Sequence, residues 1–470
     1  NQLANELLSY ECIPITALIG SDKKTQKTMD QVPSADVAIY ASEDADIALR
    51  LANVLEGDLE ALSLSKLANE LEMPLVEVLA NMEQVGIKID LPYLESLREE
   101  FAKKIDELTA ACYAAAEREF TIGSPKQLAE VLFDELGLQP TAKTSTGKRS
   151  TSVEVLEELR SQHALPGLVL DYRKYTKLAS TYVDALPKLA DAEGRVHTTF
   201  RQAVSTGRLA SVDPNVQNIP VRTEEGKLLR KAFIATDDKH RLIVADYSQI
   251  ELRILAHLSG DERMCAAFKD GRDIHRAVAA EVNNCSEAEV DSEMRSKVKA
   301  IHFGILYGQS AHGLSQALGI SRGEAKGFID AYFDRFPKVQ AFIAKTHDDV
   351  QRDGYVVTML GRRRVISGAQ DRNRMRQAAA LRQAFNTVVQ GTAADLIKTA
   401  MLRVHRKIRD DGLPYKLLIQ VHDELMLEAP AKEAKAACSF LENEMRAALE
   451  LDVPLVVDAH AGVNWLEAKE

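Results

Sequence analysis

RLIVADYSQIELRILAHLSG, residues 241–260, holds a buried apolar run, Leu242 to Ala245, that ends in Asp246 and gives way at once to a helical stretch. A second stretch, YKLLIQVHDELMLEA at 415–429, has two apolar runs around a polar centre, the pattern of a hairpin with Asp423 near its turn. Either aspartate alone reads as structure, Asp246 as a cap for the helix that follows and Asp423 as a turn residue. The pair reads differently. Two carboxylates at adjacent strand ends can hold divalent cations about 4 Å apart, which stabilises both the attacking and the leaving oxygen of an in-line phosphoryl displacement. Magnesium takes few protein carboxylates and completes its octahedron with water and substrate phosphates, so two aspartates suffice. They lie 177 positions apart, and the reading requires the fold to unite them.

Outward from these strands the texture is helical. RVHTTFRQA at 195–203 reads as one more strand, but residues 65–190 read as helices, with Leu94, Leu97, Phe101, Ile105 and Leu108 on one face and breaks at 121–125 and 140–150. The first sixty residues mix short apolar stretches with turns and reach a capped helix, YASEDADIALRLANVLEGD at 40–58. Residues 261–376 are helical again, broken at 283–286, at GISRGEA and at Phe336-Pro337, and a long helix follows from Gln377 to about Arg409. Strands therefore bracket a helical insertion in a mixed α/β (α+β) chain. Its 470 residues amount to about three domains at roughly 150 residues each.

With 46% hydrophobic and 27% charged residues, the chain has the composition of a folded globular protein and not of a collagen, a disulfide scaffold or a disordered chain. No apolar run approaches the roughly 18 residues of a bilayer-spanning helix, and the start carries no basic region with an apolar core behind it, so neither a membrane nor secretion is expected. The chain opens on Asn1 rather than Met, as a fragment or processed chain does. Five scattered cysteines with no CxxC pair suggest neither zinc nor disulfides and fit a reducing compartment. A net charge of −11 argues against a nucleic-acid partner until its distribution is considered. Between Gly361 and Arg409 twelve Lys and Arg residues, among them Arg362, Arg382, Lys398 and Arg403, face only Asp371 and Asp395. A solvated helical face is the plain reading of such a run.

RSKVKAIHFGILYG at 295–308 places Arg295, Lys299, Phe303 and Tyr307 at successive four-residue steps, a slowly winding stripe on one helix. Any two of them fit an amphipathic helix. All four suit a nucleoside triphosphate, with cations for the phosphates and rings for the base. On the long helix Arg382, Asn386 and Gln390 share a face and are donors suited to the minor groove, where every base pair presents acceptors at similar positions.

DYSQIELR at 246–253, RSKVKAIHFGILYG and QVHDE at 420–424 together resemble the three polymerase motifs of family A DNA polymerases, as found in the large fragment of bacterial DNA polymerase I. STGRLASVDPNVQNIP at 205–220, DIHRA at 273–277, RQAFNTVVQGTAADLIK at 382–398 and YASEDAD at 40–46 extend the likeness over essentially the whole chain. The resemblance implies a right-hand architecture: a truncated 3′–5′ exonuclease-like domain at 1–62, thumb at 63–195, palm at 196–258 and 377–470, and fingers at 259–376. It implies a monomer that works on primer-template DNA and deoxynucleoside triphosphates in the cytoplasm of a bacterial-type cell, with an organelle left open. Asp246 and Asp423 would bind two magnesium ions, with manganese able to substitute, and Glu424 would support them catalytically. The primer 3′-hydroxyl would attack the α-phosphate of the incoming nucleotide with loss of pyrophosphate.

By the same resemblance Arg295, Lys299 and His275 are triphosphate binders, and Phe303 and Tyr307 close over the new base pair. Gln249 and Glu251 belong to the nucleotide pocket, Glu251 as the gate against a ribose 2′-hydroxyl. Arg208, Asn215, Gln217, Arg382, Asn386, Gln390 and His422 match primer-template contacts, and Arg173 and Lys177 match thumb residues facing the duplex, which also becomes the expected partner of the basic run. The chain departs from the family in two places. KAIHFG stands where the family usually has KAINFG, so His302 replaces an Asn. YASEDAD resembles the third exonuclease motif, with Tyr40 and Asp44 in the active positions, but the segments carrying the partner carboxylates are missing, so no proofreading is expected. A single-subunit RNA polymerase, a silent DNA-binding scaffold and a nuclease are the competing readings. Glu251 weighs against the first and the intact aspartate pair against the second.

Overall fold

The apolar run before Asp246 forms the middle of a strand, His240–Tyr247, set inside a four-stranded antiparallel sheet. Strands Val457–Gly462 and Glu424–Pro430 flank it, and Lys416–Val421 pairs with the far side of Glu424–Pro430. With neighbours on both sides, the middle of this strand is buried, which is why Leu242, Ile243, Val244 and Ala245 are all apolar rather than alternating. Register sets Asp246 opposite Glu424 on one side and Asp458 on the other. Directly opposed residues share a face of the sheet.

This computed structural model describes residues 1–139, 149–221, 223–283 and 285–469, apart from the side chains of Glu281 and Phe303. The chain divides into two compact units: Asn1–Val76, Leu258–Ala267 and Arg272–Lys398 make the first, and Glu77–His257, Phe268–Gly271 and Thr399–Glu470 the second. Among the described residues no helix is long and apolar enough to cross a membrane.

In the second unit, helix Leu91–Ala116 begins at Asp90, whose carboxylate accepts the Tyr93 N–H, and it buries Leu94, Leu97, Phe101 and Leu108 of the expected stripe, with Ile105 half-buried. It packs against helix Ala164–Leu178, the Phe101 and Tyr175 rings meeting edge to face at 5.2 Å. The expected break at 121–125 is present, and most of the one at 140–150 lies outside the described residues. Residues 65–190 are not wholly helical. Ile87–Ile89 is a strand between Arg195–Val196 and Phe233–Ile234. Three residues are too few to show a two-residue period beside long helices. Gly86 makes the entry possible: its φ is 61°, and a Cβ there would lie 2.7 Å from the Val196 carbonyl oxygen. RVHTTFRQA is likewise two short strands, Arg195–Val196 and Thr199–Arg201, in different sheets.

The first unit is helical over Ile274–Val282, Ser292–Leu306, Ala311–Leu318, Arg322–Arg335 and Pro337–Asp353, with the breaks where the sequence puts them. The expectation of helix alone missed a hairpin, Tyr355–Val357 with Arg363–Val365, whose exposed face is held by Arg363 stacked 3.5 Å above the Tyr355 ring. The long helix runs Arg374–Asp410. Near the start, Ser34–Ala61 forms one helix around a small core of Ala4, Cys12 and Ile47.

Candidate active site

The hairpin of the second unit turns at His422 and Asp423, and the Tyr247 N–H donates to the Asp423 carbonyl at 3.2 Å, so the sheet itself brings Asp423 beside Asp246. Asp246 lies within its strand and does not cap helix Ile250–Ser259. Burial, together with the negative charge of Asp246, pushes the Asp423 carboxyl above its ordinary range. Asp246 Oδ1 is buried and has no hydrogen-bond partner among the described residues, while Oδ2 lies 3.3 Å from Lys469 Nζ. A buried carboxylate oxygen without a donor, next to a second carboxyl that resists ionisation, fits a divalent cation, whose charge would relieve both.

Glu424 is held in place by its neighbours. Its Oε1 accepts from Trp465 Nε1 at 2.7 Å and its Oε2 pairs with Lys469. Arg230, 2% exposed, lies over the Trp465 ring at 4.4 Å from its centroid. Burial lowers the Lys469 pKa, but Glu424 and Asp246 outweigh it and the net shift is upward. Sequence reading misses Trp465, Lys469 and Arg230 because no spacing links them to residue 424. The one available signal is that Trp465 is the chain's sole tryptophan.

The turn that carries Asp423 is strained. His422 adopts φ 55°, a value that such hairpin turns usually leave to glycine. The strain is held by a relay of amides: Gln420 Nε2 donates to the His422 carbonyl at 2.5 Å, and Gln217 Nε2 donates to the Gln420 carbonyl at 3.2 Å and to its Oε1 at 3.1 Å. Gln217 Oε1 accepts the Ser211 N–H at 3.0 Å, so both ends of this amide are engaged within the protein. Gln249, at φ 54°, makes the bend from strand to helix. Beyond it Glu251 pairs with Arg208 at 2.9 Å, and burial raises the Glu251 carboxyl against the pull of that guanidinium. Asn215 Oδ1 accepts the Asn218 N–H at 3.1 Å. On helix Ala164–Leu178, Arg173 donates to the Thr151 carbonyl at 2.7 Å and Lys177 is exposed.

In the first unit, Arg295, Lys299 and Phe303 lie on helix Ser292–Leu306, the Phe303 side chain being outside the described residues. The stripe does not extend to Tyr307 as a helical residue. The helix ends at Leu306 because Gly308 adopts φ 62°, and Tyr307 is 41% exposed just beyond it. A Cβ at Gly308 would also lie 2.6 Å from Arg382 Cγ, so the glycine lets that side chain pass. Asp273 fixes Arg295 at 2.7 Å through Oδ2, while its Oδ1 accepts the N–H groups of His275 at 3.0 Å and Arg276 at 3.3 Å. His275 and His302 are buried with their Nδ1 atoms 2.7 Å apart. Burial lowers His275 to about 4 and His302 well below its ordinary value. On the long helix Arg382 is exposed and Gln390 half-buried, and Asn386 Oδ1 is buried with no partner among the described residues. Tyr40 is half-buried and Asp44 exposed on helix Ser34–Ala61.

The basic run is not one surface. Arg362 and Lys398 are turned inward: Lys398 Nζ lies 2.8 Å from Glu72, and Arg362 pairs with Glu72 and, at 2.7 Å, with Asp395. Arg403 pairs with Glu444 at 3.0 Å within the second unit. Two of the anions that neutralise these cations, Glu72 and Glu444, lie outside the run, which is why the local charge count overstates the exposed positive charge. Arg372, Arg374, Arg376 and Arg382 are exposed and retain the surface reading.

Paired carboxylates at one end of an antiparallel sheet are an arrangement with which phosphoryl-transfer proteins hold divalent cations. The chain belongs to DNA polymerase family A, whose sequence profile matches residues 91–467. It is 43% identical to DNA polymerase I of Pseudomonas aeruginosa over all of this chain and 52% of that protein. It is 49% identical to the thermostable DNA polymerase I of Thermus filiformis over 86% of this chain and 48% of the relative. The chain thus spans about half the length of these relatives. A solved structure, the POL domain of Pol1 from M. smegmatis in complex with DNA primer-template and dNTP, matches with a TM-score of 0.90 at 39% identity, over all of this chain and 79% of that one. The family resemblance and the mixed α/β polymerase fold expected from the sequence are borne out.

Proposed function

We propose that this chain is a template-directed DNA polymerase that adds deoxynucleotides to a primer 3′-hydroxyl. The observation that carries this reading is the Asp246–Asp423 pair at adjacent strand ends, with a buried carboxylate oxygen left without a donor, in a member of DNA polymerase family A. Asp246 and Asp423 would hold two magnesium ions, or manganese in their place. Bound there, such ions supply positive charge to the attacking and leaving oxygens of an in-line displacement.

The chain's own residues do the positioning. Glu424, locked by Trp465 and Lys469, is held beside the pair. Arg295, Lys299 and His275 take the triphosphate, Phe303 and Tyr307 cover the base, and Gln249 lies at the bend where the nucleotide pocket begins. Glu251, restrained by Arg208, excludes a 2′-hydroxyl. Arg208, Asn215, Gln217, Arg382, Asn386, Gln390 and His422 serve the primer-template, with Arg173 and Lys177 on the thumb. We assign 63–195 to the thumb, 196–258 and 377–470 to the palm, 259–376 to the fingers and 1–62 to an exonuclease remnant. The protein acts as a monomer in the cytoplasm.

The test is extension of a labelled primer on a template with all four deoxynucleotides, with and without magnesium. Magnesium-dependent extension that refuses ribonucleotides is the expected result. Duplex binding without extension would favour a scaffold, and release of nucleotides from the 3′ end a nuclease.

A further inference from the structure

We infer that His302 is a positioning residue for His275: its ring donates from Nδ1 to His275 Nδ1, which leaves the His275 proton on Nε2 as a donor to a nucleotide phosphate. This rests on the proposed triphosphate role of His275.

The two Nδ1 atoms are 2.7 Å apart, so one ring donates and the other accepts. His302 has no exposed surface and His275 only 2%, which keeps both rings neutral with one proton each. Two arrangements remain. If His275 donated, the His302 proton would sit on Nε2, which is buried and has no partner among the described residues. If His302 donates, the same buried atom is a bare lone pair. An orphaned buried N–H is the rarer state, so the second arrangement holds. The Tyr332 ring stands edge-on to His302 at 5.2 Å and the His275 ring lies 4.8 Å from it, which stops His302 from turning over.

In this arrangement His275 presents Nε2–H within the field of Arg295, Lys299 and Asp273. A neutral donor there adds a hydrogen bond to an anionic phosphate without adding a third positive charge that would repel the other two. An Asn at position 302 could turn either its donor or its acceptor end toward His275. A buried imidazole wedged between two rings can accept at Nδ1 only by moving its proton to Nε2, which has no partner among the described residues.

The test compares His302→Phe, which keeps an aromatic ring and removes the donor, with His302→Asn, which keeps one. In His302→Phe, KM for deoxynucleotides should rise about tenfold, the worth of one charge-assisted hydrogen bond, with kcat and duplex affinity within twofold. His302→Asn should stay within threefold of the parent. His275→Ala should match His302→Phe, and the double variant should lose no more than either alone. In 15N spectra of histidine-labelled protein without nucleotide, His275 should be protonated at Nε2, and in His302→Phe the Nε2–H tautomer should fall to about a tenth, the fraction that a tenfold KM rise requires. Protonation of His275 at Nδ1 in the parent, an unchanged KM in His302→Phe, or losses that multiply in the double variant would each overturn the inference. If His302→Phe does not fold, the parent spectrum and the Asn variant decide. The spectrum needs no reaction, so a parent protein that fails to extend primers would refute the polymerase reading while the tautomer is still read.

Discussion

Replacing Lys398 by Met would separate the structural part of the basic run from the part that can meet DNA. Lys398 is fully buried, with Nζ 2.8 Å from Glu72. Asp395 is equally buried, 2.7 Å from Arg362 Nε, and accepts from Thr358 Oγ1 at 2.5 Å. Two anions and two cations balance. Met keeps the length and apolar volume of the lysine but leaves two carboxylates to share one guanidinium, and an uncompensated buried charge of this kind costs about 3–5 kcal/mol. Urea unfolding of the whole chain should show that loss, and adding Glu72→Gln, which restores the balance, should recover more than half of it. Duplex affinity measured against salt should keep its log–log slope in Lys398→Met, whereas Arg382→Ala, at an exposed position, should flatten the slope by about 0.9. A Lys398→Met protein with parental stability and a slope flattened like that of Arg382→Ala would refute the buried assignment.

Asp246→Asn or Asp423→Asn should cut primer extension at least about a hundredfold while duplex affinity, measured by anisotropy, stays within threefold. Loss of folding instead would return these residues to purely structural roles. Glu251→Ala should admit ribonucleotides, and unchanged discrimination in a competition assay would remove it as the gate. Stability should also depend on pH through the histidine pair. Their folded pKa values lie below the unfolded value near 6.5, so above that value they contribute nothing. As pH falls toward 4 the unfolded chain takes up protons that the folded pair refuses, and stability drops. With His275 at about 4, the drop from pH 7.5 to 5 is about 2 kcal/mol from that residue. Denaturant melts at the two pH values should show it, and His275→Asn should remove most of it.

Local pattern alone revealed the buried strand before Asp246, the hairpin around Asp423, the stripe on Leu91–Ala116 and the long helix, because each rests on burial that repeats along a single element. The same patterns singled out both aspartates and the cations at 295 and 299. What they could not reveal depends on residues far apart in the chain. Ile87–Ile89 is a strand only because Arg195–Val196 and Phe233–Ile234 pair with it. Glu424 is held by Trp465 and Lys469, which arrive from the end of the chain, and Arg362 and Lys398 turn inward because Glu72 and Asp395 are there to neutralise them. A charge or a hydrogen-bonding group in a sequence states what it can do, and its partners in space settle whether it is free to do it. Periodicity reports which face of an element avoids water, whereas the neutralisation of a buried charge is fixed by atoms within a few ångströms that no spacing encodes.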